Sequence, residues 1–337
     1  MNVTGPALAE GPETARIRAF LDGAGAPAAR GDPAVTITLP VGDDAAAFRP
    51  PDDTQVVVSC DASVEGVHFR REWMTWETIG YRAAASALSD LAAMAATPIG
   101  LVVAAALPPE LDVGIAAALG RGVGEIVGRV GAQILGGDLV ASPGPAFLDI
   151  TVLGCAAAPT TRGGVRPGDE LWVTGELGAA AAALRDLERG LEPDPRARRA
   201  FDRPRPRIEE MLWLRDRVRI HAAIDLSDGM MRDARNLAAA SGVALEIEAD
   251  RLPSAPALEG FRQTPAAEQL LLAGGEDYEL LFAVPAGAMR GTERAFAVAF
   301  DHPLTRVGRA REGEGLTVSG RLNPTLPAGF DHFGAGR

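Results

Sequence analysis

The residues of this chain best suited to do chemistry are carboxylates set beside glycine or serine at the ends of short apolar runs. They occur in Val41-Gly42-Asp43-Asp44, Val57-Val58-Ser59-Cys60-Asp61, Leu88-Ser89-Asp90, Ile134-Leu135-Gly136-Gly137-Asp138, Ile224-Asp225-Leu226-Ser227-Asp228 and Gly274-Gly275-Glu276-Asp277. A carboxylate in such a place is costly to desolvate unless a cation meets it. Lysine would be the natural partner, but all 33 basic residues are arginines. Clustered oxygen donors without lysine point to divalent metal, and metal beside glycine turns points to a polyphosphate. The missing lysine reads as a composition bias, yet it excludes a P-loop lysine, a protein-kinase lysine and a Schiff base.

Each segment has a plainer reading to set against this. Asp43-Asp44 is either a surface turn or a pair whose mutual repulsion demands a cation on burial. Around Ser59-Cys60-Asp61, hydroxyl, carbonyl and carboxylate oxygens could ligate Mg²⁺, with His68 close by in sequence. Asp90 sits in an alanine-rich helix on a face that looks apolar, where an aspartate has no local reason to be. Gly136-Gly137-Asp138, following a strand, would let backbone amides approach phosphate oxygens while the carboxylate holds a metal. Asp225 and Ser227 share a face if their strand runs that far, and Asp228 is a candidate cap for the helix that follows. Glu276, Asp277 and Glu279 surround Tyr278. Arg162 is either a solvated hinge residue or a bidentate phosphate clamp. The joint occurrence of these segments carries the signal, not any one of them.

The elements that must position these residues follow from periodicity and breakers. Helices are expected near Glu13–Leu21, Thr78–Ala95, Leu111–Val130, Ala179–Arg189, Ile208–Arg217 and Met230–Ser241, the last stopped by Gly242. Strands are expected at 35–39, 56–59, 66–69, 100–107, 132–135, 147–156, 170–174, 222–225, 244–247, 280–284, 305–307 and 316–318. The Pro-, Arg- and Asp-rich stretch 192–207 reads as an exposed loop. At 337 residues two domains are the better expectation. A net charge of −12 argues against nucleic acid, though not against a phosphorylated substrate met through bound cations. Cys60 and Cys155 make neither a disulfide framework nor a zinc site. No signal peptide or membrane span is visible, so a cytoplasmic location is expected.

Taken in order, the strings resemble one family, the thiamine-monophosphate kinases, within the aminoimidazole-ribonucleotide-synthetase-like superfamily. The matching strings are Gly42-Asp43-Asp44-Ala45, Val64-Glu65-Gly66-Val67-His68-Phe69, Leu88-Ser89-Asp90-Leu91-Ala92-Ala93-Met94, Gly136-Gly137-Asp138, Arg166-Pro167-Gly168-Asp169, Asp225-Leu226-Ser227-Asp228-Gly229, Gly274-Gly275-Glu276-Asp277-Tyr278-Glu279-Leu280 and Gly329-Phe330-Asp331-His332-Phe333. The resemblance implies a mixed α/β (α+β) fold of two α/β domains, 1–158 and 159–337, the first forming a homodimer interface. It implies ATP-dependent phosphorylation of thiamine monophosphate to thiamine diphosphate with several Mg²⁺ ions. By carry-over, Asp44, Ser59, Cys60 (through its backbone), Asp61, Asp90, Asp138, Asp225 and Asp228 would hold metal. Gly137, Asp138, Arg162 and Ser227 would contact ATP, and His68, Glu276 and Phe330 the thiamine phosphate.

The chain departs from the family pattern in places. Cys60 stands where Thr is usual, and Ala95 where Gly follows Met94, a change expected to alter helix packing. Leu139-Val140 replaces a more polar pair, and Phe330 a Trp or Tyr. The acceptor is itself a phosphate monoester with a second pKa of about 6, so no general base is required. Positioning and charge neutralisation would supply the catalysis. The alternatives are another ATP-dependent synthetase of the superfamily, or a non-catalytic Mg²⁺–nucleotide-binding protein.

Overall fold

The computed structural model describes residues 11–25, 35–41, 44–109, 112–320 and 329. These fall into two compact units. One holds the described residues up to Leu91 together with Ala96–Pro159; the other holds Ala92–Ala95 and the described residues from Thr160 onward. Each mixes helices with sheet, in keeping with the α/β reading.

Unit 1 runs α1 (Pro12–Ala24), a hairpin of β1 (Thr36–Leu39) and β2 (Ala47–Arg49), β3 (Gln55–Val64), α2 (Trp76–Ala93), β4 (Thr97–Leu107), α3 (Val113–Val130), β5 (Gln133–Ala141) and β6 (Phe147–Ala156). Its main sheet has the order β3-β6-β4-β5, with β4 and β5 parallel and the other pairs antiparallel. Side-chain alternation gives this sheet two unlike faces. Leu101, Val103, Leu148, Ile150 and Val152 are buried on one, while Val56, Val58, Val102, Val140 and Phe147 are exposed on the other. The hairpin covers only the end of the open face around Leu153 and Cys155. Alanine-rich α2 is enclosed, and α3 approaches it through glycine. A Cβ on Gly122 would run into the backbone of Glu77 and Tyr81.

Unit 2 contains β7 (Glu170–Thr174), α4 (Ala179–Glu188), α5 (Pro195–Asp202), α6 (Ile208–Arg215), β8 (Ala222–Asp225), α7 (Met230–Ser241), β9 (Ala244–Glu248), α8 (Pro265–Ala273), β10 (Leu280–Val284), α9 (Thr292–Phe300), β11 (Leu304–Arg311) and β12 (Gly315–Ser319). The sheet order is β12-β9-β11-β7-β10-β8. Because β10 is antiparallel to both β7 and β8, its N-terminal end lies beside their C-terminal ends. That register gathers the segments Gly175–Gly178, Asp225–Gly229 and Gly274–Glu279 at one end of the sheet. Apolar α7 residues Met231, Ala234 and Leu237 seal the sheet beneath them.

Several local expectations need correction. The stretch 192–207 is not all loop: α5 forms because Asp194 caps the Arg196 and Ala197 N–H groups and Ala197 and Phe201 bury one side. Gly66–Phe69 is a turn, closed by the Gly66 N–H on the Phe69 carbonyl at 2.8 Å. The strand expected to stop at Leu135 continues through Gly136-Gly137-Asp138 to Ala141, because its pairing with β4 continues. Among the described residues, no helix is long and apolar enough to cross a membrane.

Candidate active site

In unit 1 the strand β3 presents Ser59 and Asp61 toward the covered face of the sheet. There the Ser59 hydroxyl donates to Asp90 Oδ2 of α2 at 2.5 Å. This explains the aspartate on an otherwise apolar helix: it is met by a hydroxyl from the sheet. Cys60, one residue out of phase, turns to the opposite face, where its Sγ donates to Asp149 Oδ2 at 2.9 Å. That hydrogen bond, followed by burial, raises the thiol pKa. A thiol on the other face cannot join Ser59 and Asp61, so only the Cys60 backbone remains available beside them.

His68 lies in the turn after β3. Its Nδ1 accepts the Val64 N–H at 3.0 Å, and its own N–H donates to the Val64 carbonyl at 2.9 Å. An Nδ1 that accepts is unprotonated, so the neutral ring carries its proton on Nε2 and can donate there.

Gly137 and Asp138 lie within edge strand β5. A Cβ at Gly137 would overlap the Val103 carbonyl, so glycine is required by the neighbouring strand. The register Asp61↔Ile150↔Val103↔Gly137 puts the Asp138 side chain on the face opposite Asp61. Gly137 and Asp138 border a small apolar hollow shared with Ile17, Phe20, Leu21 and Ile134. Asp44 is exposed. Asp43 and Phe330 lie outside the described residues.

In unit 2, β8 ends at Asp225, so Ser227 stands beyond the strand and does not share its face as the two-residue spacing suggested. Asp225 is 4% exposed. Asp228 does not cap α7: the cap position is Gly229, without a side-chain bond. The Asp228 carboxylate instead pairs with Arg232 at 3.2 Å, while its N–H donates to Asp233 Oδ2 at 3.1 Å.

Asp233 was not singled out by the sequence reading, although an acid among the apolar residues of α7 was a usable signal. Burial, reinforced by the charges of Asp225 and Asp228 and only partly relieved by the Asp228 N–H and then Arg162, pushes its pKa up to about 8. Arg162 is exposed, and its carbonyl accepts from the Ser241 hydroxyl at 2.9 Å. The charges of Asp225 and Asp228 thus act on Asp233 at close range. Among the described residues, no three acids converge tightly enough to enclose an ion alone.

Facing this turn is Gly274–Glu279. The Glu276 N–H donates to the Ser227 carbonyl at 2.8 Å and the Tyr278 N–H to the Leu226 carbonyl at 3.0 Å. Glu276 and Tyr278 have φ of 67° and 51°, uncommon for residues with a Cβ. Asp277 turns its carboxylate onto the Gly178 N–H, at 2.9 and 3.1 Å.

Comparison with known proteins bears directly on this arrangement. Residues 42–156 match the N-terminal domain, and residues 166–320 the C-terminal domain, of the AIR synthase related protein family. A thiamine-monophosphate kinase of Rhodopirellula baltica is 36% identical over 310 residues, covering 88% of this chain and 92% of that protein. The chain belongs to the thiamine-monophosphate kinase family. The Escherichia coli K12 thiamine-monophosphate kinase is 33% identical, with 88% and 92% covered. The crystal structure of the Stenotrophomonas maltophilia thiamine-monophosphate kinase superposes with a TM-score of 0.79 at 36% identity, covering 93% of this chain and 97% of that one. AaThiL, solved in complex with AMPPCP and TMP, superposes at 0.74 with 29% identity, covering 84% and 88%.

Against the family pattern, Ala95 now has a conformational explanation. It follows α2 with φ 51°, the left-handed setting in which helices commonly end on glycine. The family glycine is thus a backbone requirement more than a helix-packing one. Its strain of about 1–2 kcal/mol is only partly offset by a methyl that is 1% exposed, burial of which contributes about 0.8 kcal/mol.

Proposed function

We propose that this protein transfers the γ-phosphoryl group of ATP to the phosphate of thiamine monophosphate, forming thiamine diphosphate and ADP. The observation that carries the reading is the acid-crowded end of the unit 2 sheet, where Asp225, Asp228 and Asp233 lie close together and the Leu226–Ser227 backbone is bonded to the Glu276 segment, in a chain of this kinase family. Similarity to a relative solved with an ATP analogue and TMP supports the substrate pair.

An acceptor phosphate oxygen forms a bond to the γ-phosphorus as the bond to the β–γ bridging oxygen breaks. The acceptor is already mostly a dianion near neutral pH, so no residue need remove a proton. What remains is to bring two anions together. On this reading Asp44, Ser59, the Cys60 backbone, Asp61, Asp90, Asp138, Asp225 and Asp228 would hold Mg²⁺, which supplies charge neutralisation when bound. Gly137, Asp138, Arg162 and Ser227 contact ATP. His68 donates from Nε2 to the thiamine phosphate, which Glu276 and Phe330 also contact. Residues 1–158 form the metal-binding, dimerising domain, and 159–337 complete the nucleotide and substrate contacts. The open sheet face, with Val58 58% exposed beside Val56, Val102, Val140 and Phe147, supports pairing of two copies there.

The test is purified protein with ATP, thiamine monophosphate and Mg²⁺, with thiamine diphosphate and ADP quantified and mass measured by light scattering. Equimolar products that vanish on chelation are expected, from a particle of twice the chain mass. ATP binding without thiamine diphosphate above background overturns the kinase assignment.

A further inference from the structure

Behind the Glu276 segment lies an ion network that no step of the phosphoryl transfer uses. The Glu279 carboxylate packs against the end of β7, and Arg207 meets it with Nε at 2.7 Å and Nη2 at 2.5 Å. Thr174 Oγ1 donates to the same carboxylate at 2.6 Å and accepts the Leu280 N–H at 2.8 Å. Arg207 Nη1 also donates to Glu210 Oε1 at 3.0 Å, and His302 Nε2 lies 3.0 Å from that oxygen. Burial alone would raise the Glu210 pKa, but His302 and Arg207 bring it down to about 2, so the acid is ionised. The Arg207 side chain is 11% exposed, and those of Glu210 and Glu279 5%. Gly175 makes the room: a Cβ there would overlap the Glu279 carboxylate. A two-pronged guanidinium–carboxylate pair admits essentially one geometry, which an ammonium point charge would not impose.

The opposite side of the same residue reaches the site. The Glu279 carbonyl accepts the Leu226 N–H at 2.8 Å, between Asp225 and Ser227. With the Tyr278–Leu226 and Glu276–Ser227 bonds, this makes three backbone links between the two segments. Glu276 and Tyr278 hold left-handed backbone settings that persist only when the surroundings over-determine them. The buried pair provides that constraint.

We propose that Arg207 and Glu279 are positioning residues for the phosphoryl transfer: their buried pair locks the Glu276–Glu279 segment and, through Leu226, sets the separation of Glu276 from Ser227. This rests on the substrate and nucleotide roles given above to Glu276 and Ser227.

Arg207→Lys and Glu279→Gln test it, the first removing the fork and the second the charge at constant shape. Residue-resolved amide exchange should show protection falling at least tenfold at Leu226, Glu276 and Tyr278, with Val173 and Leu281 in the sheet unchanged. In parallel, kcat/KM for thiamine monophosphate should fall tenfold or more, beyond any change in KM for ATP. Unchanged exchange at the three amides in both variants overturns the proposal. So does a loss of protection spread evenly over β7 and β10, which marks a merely structural pair. Should Arg207→Lys fail to fold, the isosteric Glu279→Gln carries the test alone. The exchange result reads the same in a chain that makes no thiamine diphosphate, so failure of the kinase reading is separable from failure of the positioning claim.

Discussion

The two units present their carboxylates by different devices. In unit 1 the strand pleat does the sorting: Ser59 and Asp61 point one way, Cys60 and Asp149 the other, and a hydroxyl meets Asp90. In unit 2 the acids gather at one end of the sheet from three kinds of element, Asp225 as the last residue of β8, Asp228 on the connection after it and Asp233 in the first turn of α7, crowded enough that Asp233 retains a proton to about pH 8, with an arginine fork anchoring the segment opposite. Strand-borne donors come nearly preorganised, because the register that builds the sheet also aims them. Donors drawn from a strand end, a connection and a helix need added restraint, and the left-handed residues and buried ion pair of unit 2 are that restraint.

The largest effects should come from the metal-site candidates themselves. Asp61→Asn and Asp225→Asn are each expected to lower kcat by about a hundredfold or more, measured by thiamine diphosphate formation at saturating Mg²⁺. The variants should then part company. Asp225→Asn relieves charge crowding at Asp233, so the metal-free protein should melt higher, whereas Asp61→Asn should leave stability within about 0.5 kcal/mol. Equal melting shifts would break the contrast between the units. A smaller effect is expected from Ser59→Ala, which removes a neutral oxygen assigned to Mg²⁺ together with the hydroxyl partner of Asp90. Loss of such a supporting bond should raise the Mg²⁺ concentration giving half-maximal rate by about tenfold, with kcat nearly kept. No change in Mg²⁺ dependence would mean that Ser59 and Asp90 serve only to join strand to helix.

What was legible in the sequence follows the same division. Strands such as 147–156, 170–174, 222–225 and 280–284, and the Met230–Ser241 helix with Gly242 in the left-handed region, could be read because their signals are local. Helix α5 was hidden because its arginines and prolines mask two inward residues, Ala197 and Phe201, and helices α8 and α9 went unread. The Gly-Gly-Asp string looked like a turn. Its glycine serves close strand packing instead, a demand made by Val103 more than thirty positions earlier in the chain. Asp138 was grouped with Asp61 by residue type, yet the register sets them on opposite faces of one sheet. The Arg207–Glu279 pair bridges 72 positions, so no local pattern announces it.

Asp277, whose role the motif left open, offers an effect of clear sign. Burial raises its pKa well above the ordinary aspartate value; the Gly178 N–H lowers it in part, and Glu279 and Glu276 raise it again. Above about pH 4 the unfolded chain has released this proton while the folded protein keeps it. The unfolded state then binds fewer protons, so stability falls as pH rises, by at most about 1.4 kcal/mol per pH unit from this one group. Asparagine presents the same oxygen to Gly178 and has no proton to retain. The stability of Asp277→Asn relative to wild type, from urea unfolding, should therefore grow steadily between pH 4 and 7. A difference constant across that range would mean that Asp277 is ionised in the folded protein. The Gly178 N–H would then outweigh burial there, and the restraint attributed to unit 2 would lie wholly in the Arg207 fork.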